Sequence, residues 1–94
     1  MIALAVGPRF SLGRVVITQT AQAQLCPEDV FSALRRHASG DWGEVDAHDR
    51  AVNEAALREG DRLFSVFRDR NGTRFYIISE ADRTVTTVLL PEDY

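Results

Sequence analysis

Lysine is missing from this chain: its eleven basic side chains are all arginine. We ascribe that bias to a GC-rich coding sequence before any chemistry. Acidic residues outnumber basic ones and leave a net charge of −3. The basic excess of a protein that neutralises many phosphates is therefore absent, which disfavours sequence-independent binding to nucleic acid. Cysteine occurs once, at Cys26, which excludes an internal disulfide and a four-ligand structural zinc site. No apolar run approaches the roughly 18 residues of a membrane-spanning helix. The opening Met1-Ile2-Ala3-Leu4-Ala5-Val6 lacks the positive flank and length of a signal peptide and is cut off by Gly7-Pro8-Arg9. There is no Gly-x-Ser-x-Gly, no phosphate-binding glycine loop and no dinucleotide fingerprint. These absences predict a soluble, cytoplasmic chain with no cofactor, no metal and no catalytic residues.

What is present predicts one domain over residues 1–94, because 94 residues fold around a single core. Residues 1–13 carry Gly7, Pro8 and Gly13 and read as an arm or short strand ahead of an α+β core over 14–94. Arg14–Thr18 is β-branched and brief, a strand. Thr20 is placed to cap a short helical stretch over Ala21–Leu25. Pro27, the acids Glu28 and Asp29, and the basic group Arg35, Arg36 and His37 bracket a helix over 27–38. Val30, Phe31, Leu34 and Ala38 share its apolar face, and Gly40 stops it. Asp46 opens a second helix, Ala47 to Glu59, which Gly60 ends. Asp49 stands at its capping-box position, and Val52, Ala55, Ala56 and Leu57 form its inner stripe.

The last third reads as β. Leu63–Arg68 and Arg74–Ser79 flank Asn71-Gly72, a two-residue hairpin signal of type I′. That turn predicts Phe67 opposite Tyr76, Val66 opposite Ile77, and an ion pair between Asp69 and Arg74. After Glu80–Arg83 a third strand, Thr84–Leu90, runs to Pro91. The expected fold is α+β in the order β-α-α-β-β-β: two main helices packed on an antiparallel sheet with a C-terminal three-stranded meander. In the predicted register Phe64, Val66, Phe75 and Ile77 share one face, and Leu63, Phe67, Tyr76 and Ile78 share the other. Both faces are apolar, so each calls for cover. The two helices cover one, and the arm, a second copy or a protein partner covers the other.

Several residues invite a chemical reading. Asp41, Glu44, Asp46, His48 and Asp49 cluster between the helices, yet their spacing matches neither an EF-hand loop nor a zinc hydrolase. Trp42, between two glycines, either plugs the edge of the core or anchors a partner. Cys26 precedes a helix start, where a thiolate is stabilised, but a lone cysteine is usually a small hydrophobe. The arginines of the β region, with His37 as a proton carrier, are the only candidates for RNA chemistry.

The run Ile77–Tyr94 (IISEADRTVTTVLLPEDY), with Gly40-Asp41-Trp42-Gly43, Asn53 and Gly60-Asp61-Arg62, resembles a family of small uncharacterised bacterial proteins labelled plasmid-related. The resemblance covers roughly residues 12–94. It implies a mobile-element or host-conflict setting and carries no activity. The element order is also similar to that of RelE/ParE-like toxins, which would cast Arg68, Arg74, Tyr76 and His37 in ribonuclease parts. The expected function is a non-enzymatic protein-binding module, a regulator or inhibitor that docks through Asp41, Trp42, Tyr76, Asp82 and Arg83. The alternative is an RNA-cleaving toxin built on Arg68, Arg74 and His37.

Overall fold

Three helices and four strands form an α+β fold in residues 7–94, the part of the chain that the computed structural model describes. In chain order they are β1 (Arg14–Ile17), α1 (Gln19–Gln24), α2 (Pro27–Ala38), α3 (Ala47–Glu59), β2 (Leu63–Arg68), β3 (Arg74–Ser79) and β4 (Val85–Leu89), followed by a 3-10 turn, Pro91–Asp93. The two main helices span the ranges their end signals predict. Asp46 accepts from Asp49 N–H at 2.7 Å, and Gly60 takes the left-handed conformation at φ 76°. The short helix is capped two residues earlier than expected, by the Thr18 hydroxyl, which accepts from Ala21 N–H at 3.2 Å. The predicted arm lies partly outside the described residues; its part from Gly7 to Gly13 contains no strand.

The strand order is β1-β4-β3-β2. β2, β3 and β4 form the antiparallel meander, but β1 joins β4 in parallel, so the sheet is mixed rather than antiparallel. Both strands leave the sheet at the same end. There the Asp93 carboxylate accepts from the Thr18 and Thr20 hydroxyls at 2.7 and 2.6 Å and ties the two exits together.

The hairpin corrects the predicted register by one residue. Phe67 faces Phe75, Val66 faces Tyr76 and Arg68 faces Arg74. A type I′ turn requires positive φ at Asn71, and among the described residues Arg83 is the only non-glycine with positive φ. Instead Gly72 N–H donates to Asp69 C=O at 2.9 Å, Asp69 N–H donates to Thr73 C=O at 3.0 Å, and Gly72 adopts φ 81°. This is a three-residue loop, a type I turn closed by a left-handed glycine. The Asp69–Arg74 ion pair does not form. Asp69 is buried, and its carboxylate accepts from the N–H groups of Asn71, Thr73 and, at the start of α2, Cys26.

A one-residue slip exchanges the partners on each face. One face now holds Leu63, Ser65, Phe67, Phe75, Ile77, Ser79, Thr86 and Val88, all buried. α1 and α2 cover it with Ala21, Leu25, Val30, Ala33 and Leu34. Phe31, expected on the inner stripe of α2, is 68% exposed, and Ala33 and His37 are buried instead. Leu12 packs against this same core, while Phe10 packs against the cluster of Trp42, Val45, Ala56, Leu63 and Val66.

α3 does not lie on a face; it closes an edge. The Asn53 amide donates to Phe64 C=O at 2.7 Å and accepts Phe64 N–H at 3.0 Å. Two residues on, Val66 N–H donates to Trp42 C=O and Val66 C=O accepts from Glu44 N–H. Together they satisfy the outward backbone groups of Phe64 and Val66, which would otherwise template foreign strands. Gly43 makes the approach possible. At φ 71°, a Cβ there would stand 2.0 Å from the Val66 carbonyl oxygen. Because Asn53 and Ala56 face inward, Val52 is turned out, half exposed, against the expected stripe. Asn53→Ala is expected to cost about 2 kcal/mol of stability through two unpartnered backbone groups, and to promote aggregation by opening the edge. Urea denaturation and light scattering at matched concentration check the two effects.

Candidate functional site

The residues singled out from sequence do not form one site. Trp42 is a core plug, 3% exposed; it stacks on Phe10, meets His37 edge to face, and donates its indole N–H to Glu54 at 2.9 Å. Asp41 accepts from Arg36 Nε at 2.7 Å and from Gly43 N–H, contacts that hold its carboxyl below the usual range, the arginine contributing most. Asp82 accepts from both the hydroxyl and the N–H of Thr84 and is shifted the same way, chiefly by that hydroxyl. Arg83, at φ 61°, donates to the carbonyls of Asp61, Glu80, Ala81 and Ala56. It therefore braces the C-terminal end of α3, where carbonyls lack helical partners. Of the five docking candidates Asp41 and Asp82 are exposed, Tyr76 and Arg83 half-buried and Trp42 buried; only Tyr76 lines a cleft on the second sheet face.

His37 is enclosed. Its ring has no exposed surface and lies between two serines, Nδ1 at 2.6 Å from Ser65 Oγ and Nε2 at 2.9 Å from Ser79 Oγ. The chain continues from Ser79 Oγ to Thr86 Oγ1 at 2.7 Å, and Thr86 donates to Leu12 C=O at 2.7 Å. A carbonyl only accepts, so the polarity is fixed from that end. Thr86 spends its proton on Leu12 and accepts from Ser79, Ser79 accepts from Nε2–H, and Nδ1 accepts from Ser65. The network thus places a proton on Nε2, and burial leaves Nδ1 without one at neutral pH. Burial, aided by the positive charge of Arg83, depresses its pKa to about 4. A serine hydroxyl beside an imidazole has the outline of an activated nucleophile, but Ser65, Ser79 and His37 are all fully buried, and no substrate reaches them.

The arginines expected to bind RNA lie on the other side of the sheet from His37. Arg68 donates Nε to both oxygens of Glu44 at 3.0 and 3.1 Å. Arg74 lies with its guanidinium 5.9 Å from the Tyr76 ring centre. Arg9, Arg36, Arg62 and Arg70 likewise sit on carboxylates. The acids of the interhelical segment are similarly engaged: Asp41 with Arg36, Glu44 with Arg68, and Asp46 with the first turn of α3.

What the structure brings together is the second sheet face. Val66, Ile78 and Leu89 form its floor, with Phe64 and Tyr76 packed 4.8 Å apart at ring centres beside them. Tyr94, 73% exposed, meets Tyr76 edge to face. Two open clefts of about 370 and 390 Å³ flank Arg62 and Tyr94, which line both; the first runs to Asp49 and Val52 on α3, the second to Thr87 and Leu89 on β4. Phe64 and Tyr94 were not among the sequence candidates, and Arg62 was one only as an arginine of the β region. The signal was parity: with the hairpin closed by three residues, Phe64, Tyr76 and Ile78 fall on one face.

The His37 pKa carries a signed pH dependence. The ring is neutral when folded down to about pH 4, whereas an unfolded histidine takes a proton near pH 6.5. The unfolded state binds more protons between those values, so stability is lost as pH falls. Between pH 7 and pH 5, where the depressed carboxylates stay ionised, this group alone is expected to remove about 2 kcal/mol. Urea titrations at both pH values check the loss, which His37→Gln should abolish. Comparison with family models, with curated proteins and with solved structures finds no match to the chain, so its function is read from its own residues.

Proposed function

We propose that the protein is a non-enzymatic module that binds a protein partner on the open face of its sheet. The observation that carries this reading is the groove around Tyr76 and Tyr94: an apolar floor and aromatic walls, with two open clefts beside them. Exposed aromatics over a buried aliphatic floor are the side chains that dominate binding energy at protein interfaces. The net charge of −3 favours a partner with a basic surface and speeds its encounter. The ribonuclease alternative has less support, because its proton carrier is sealed in the core and one of its two arginines, Arg68, is neutralised by Glu44. The setting, regulation or inhibition on a mobile element, rests on the resemblance of the 40–43 and 77–94 segments to plasmid-related proteins.

The test is affinity capture from the native host with wild-type protein and with a Tyr76→Ala/Tyr94→Ala variant, followed by titration of the purified partner. A defined protein that binds the wild type and loses at least tenfold in affinity with the variant is expected. Binding unchanged by the variant would sink the groove as the docking site. Growth arrest and RNA cleavage on expression, both lost in Arg74→Ala, would establish the toxin instead.

A further inference from the structure

The two edges of the sheet differ. β2 is closed by Asn53 and the Trp42–Glu44 segment, whereas among the described residues nothing pairs with the outer side of β1. Arg14 and Thr18 turn their N–H groups inward, to Thr84 C=O at 2.8 Å and Val88 C=O at 3.1 Å. Strand alternation then turns the N–H and C=O groups of Val15 and Ile17 outward. The side chains beside this edge are apolar: Val15 is 43%, Ile17 37% and Phe31 68% exposed, and the three line one cleft together.

We propose that a second copy of this chain occupies the β1 edge, pairing antiparallel about a two-fold axis through Val16. Parity selects that register. Opposite residues of an antiparallel pair share a sheet face, and a hydrogen-bonded pair needs outward groups on both strands. Centring on Val16 places Val15 opposite Ile17 of the second copy, and Ile17 opposite its Val15, both as hydrogen-bonded pairs. All the outward groups of Val15 and Ile17 are thereby used, in four backbone hydrogen bonds. Their side chains meet on the helical face beside both copies of Phe31, and the two sheets become one of eight strands.

The charges agree with the same register. Arg14, exposed and without an ion pair among the described residues, comes opposite Thr18 of the second copy. The Thr18 hydroxyl donates to Asp93 at 2.7 Å, so each Arg14 arrives beside the other copy's Asp93, with Glu92 next in sequence. Basic and acidic ends of the edge thus complement themselves under the two-fold operation. A contact of one short strand and one aromatic per copy lies at the small end of interfaces, below about 1,200 Å² in total, where association is weak and concentration-dependent. The surface is separate from the Tyr76 groove, so the fate of one does not decide the other.

Sedimentation equilibrium from about 5 to about 500 µM tests the proposal, with a dimer expected in the upper part of that range. Arg14→Glu sets like charges against Asp93 and is expected to weaken the dimer at least tenfold, with circular dichroism and melting of the dilute monomer unchanged. Register is read independently by oxidation in a Cys26→Ser background. Val16 faces itself across the axis as a non-hydrogen-bonded pair with Cα atoms about 4.5 Å apart, within disulfide reach. Val16→Cys is therefore expected to cross-link faster than Ile17→Cys. A monomer at every concentration overturns the proposal and leaves the edge to residues 1–6 or to a foreign strand. A dimer indifferent to Arg14→Glu, or one that cross-links equally at both positions, overturns the register.

Discussion

The buried carboxylate of Asp69 sets the geometry of the molecule. By accepting from Asn71 and Thr73 it closes the β2–β3 hairpin with three residues, and by accepting from Cys26 it fastens the start of α2 to the same corner. The loop length fixes register, and register fixes which side chains each face receives. With this closure, two serines and a threonine join the aromatic and aliphatic residues under α2, where His37 gathers them into one hydrogen-bonded chain. Phe64, Tyr76 and Ile78 are sent to the opposite face. A two-residue turn would have put Phe75 there in place of Tyr76.

Elements were legible because their signals are local. Pro27, Asp46 and Gly60 mark helix ends by backbone chemistry that needs no tertiary context, and the strand runs at 63–68 and 74–79 are bounded by turn residues. Register was not legible in the same way. Asn-Gly suits a type I′ turn, but the same dipeptide serves as the third and fourth residues of a type I turn when an aspartate two residues earlier accepts the loop's N–H groups. The parallel placement of β1 was hidden too, since it depends on where three helices return the chain. Burial of His37, and the exposure of Phe31 one helical turn and a half earlier, are both set by which side of α2 meets the sheet.

The residues that carried the family resemblance have structural duties here. Trp42, Gly43 and Asn53 seal the edge of β2; Asp61 and Arg83 tie the end of α3 to the β3–β4 turn. Charged side chains are used in the same manner, in ion pairs that cross between elements rather than in a field of one sign. The sheet face turned away from α1 and α2 is apolar and aromatic at its centre, with the Arg62–Glu80 pair at its margin.

One closed edge and, among the described residues, one open edge make the sheet a body of valence one. A molecule with two open edges can hand each newcomer a fresh template and grow into a fibre without limit. Under the proposed pairing of copies at β1, the seal made by a single amide at Asn53 and a glycine at 43 would make the first neighbour to arrive also the last. Growth would end at that step.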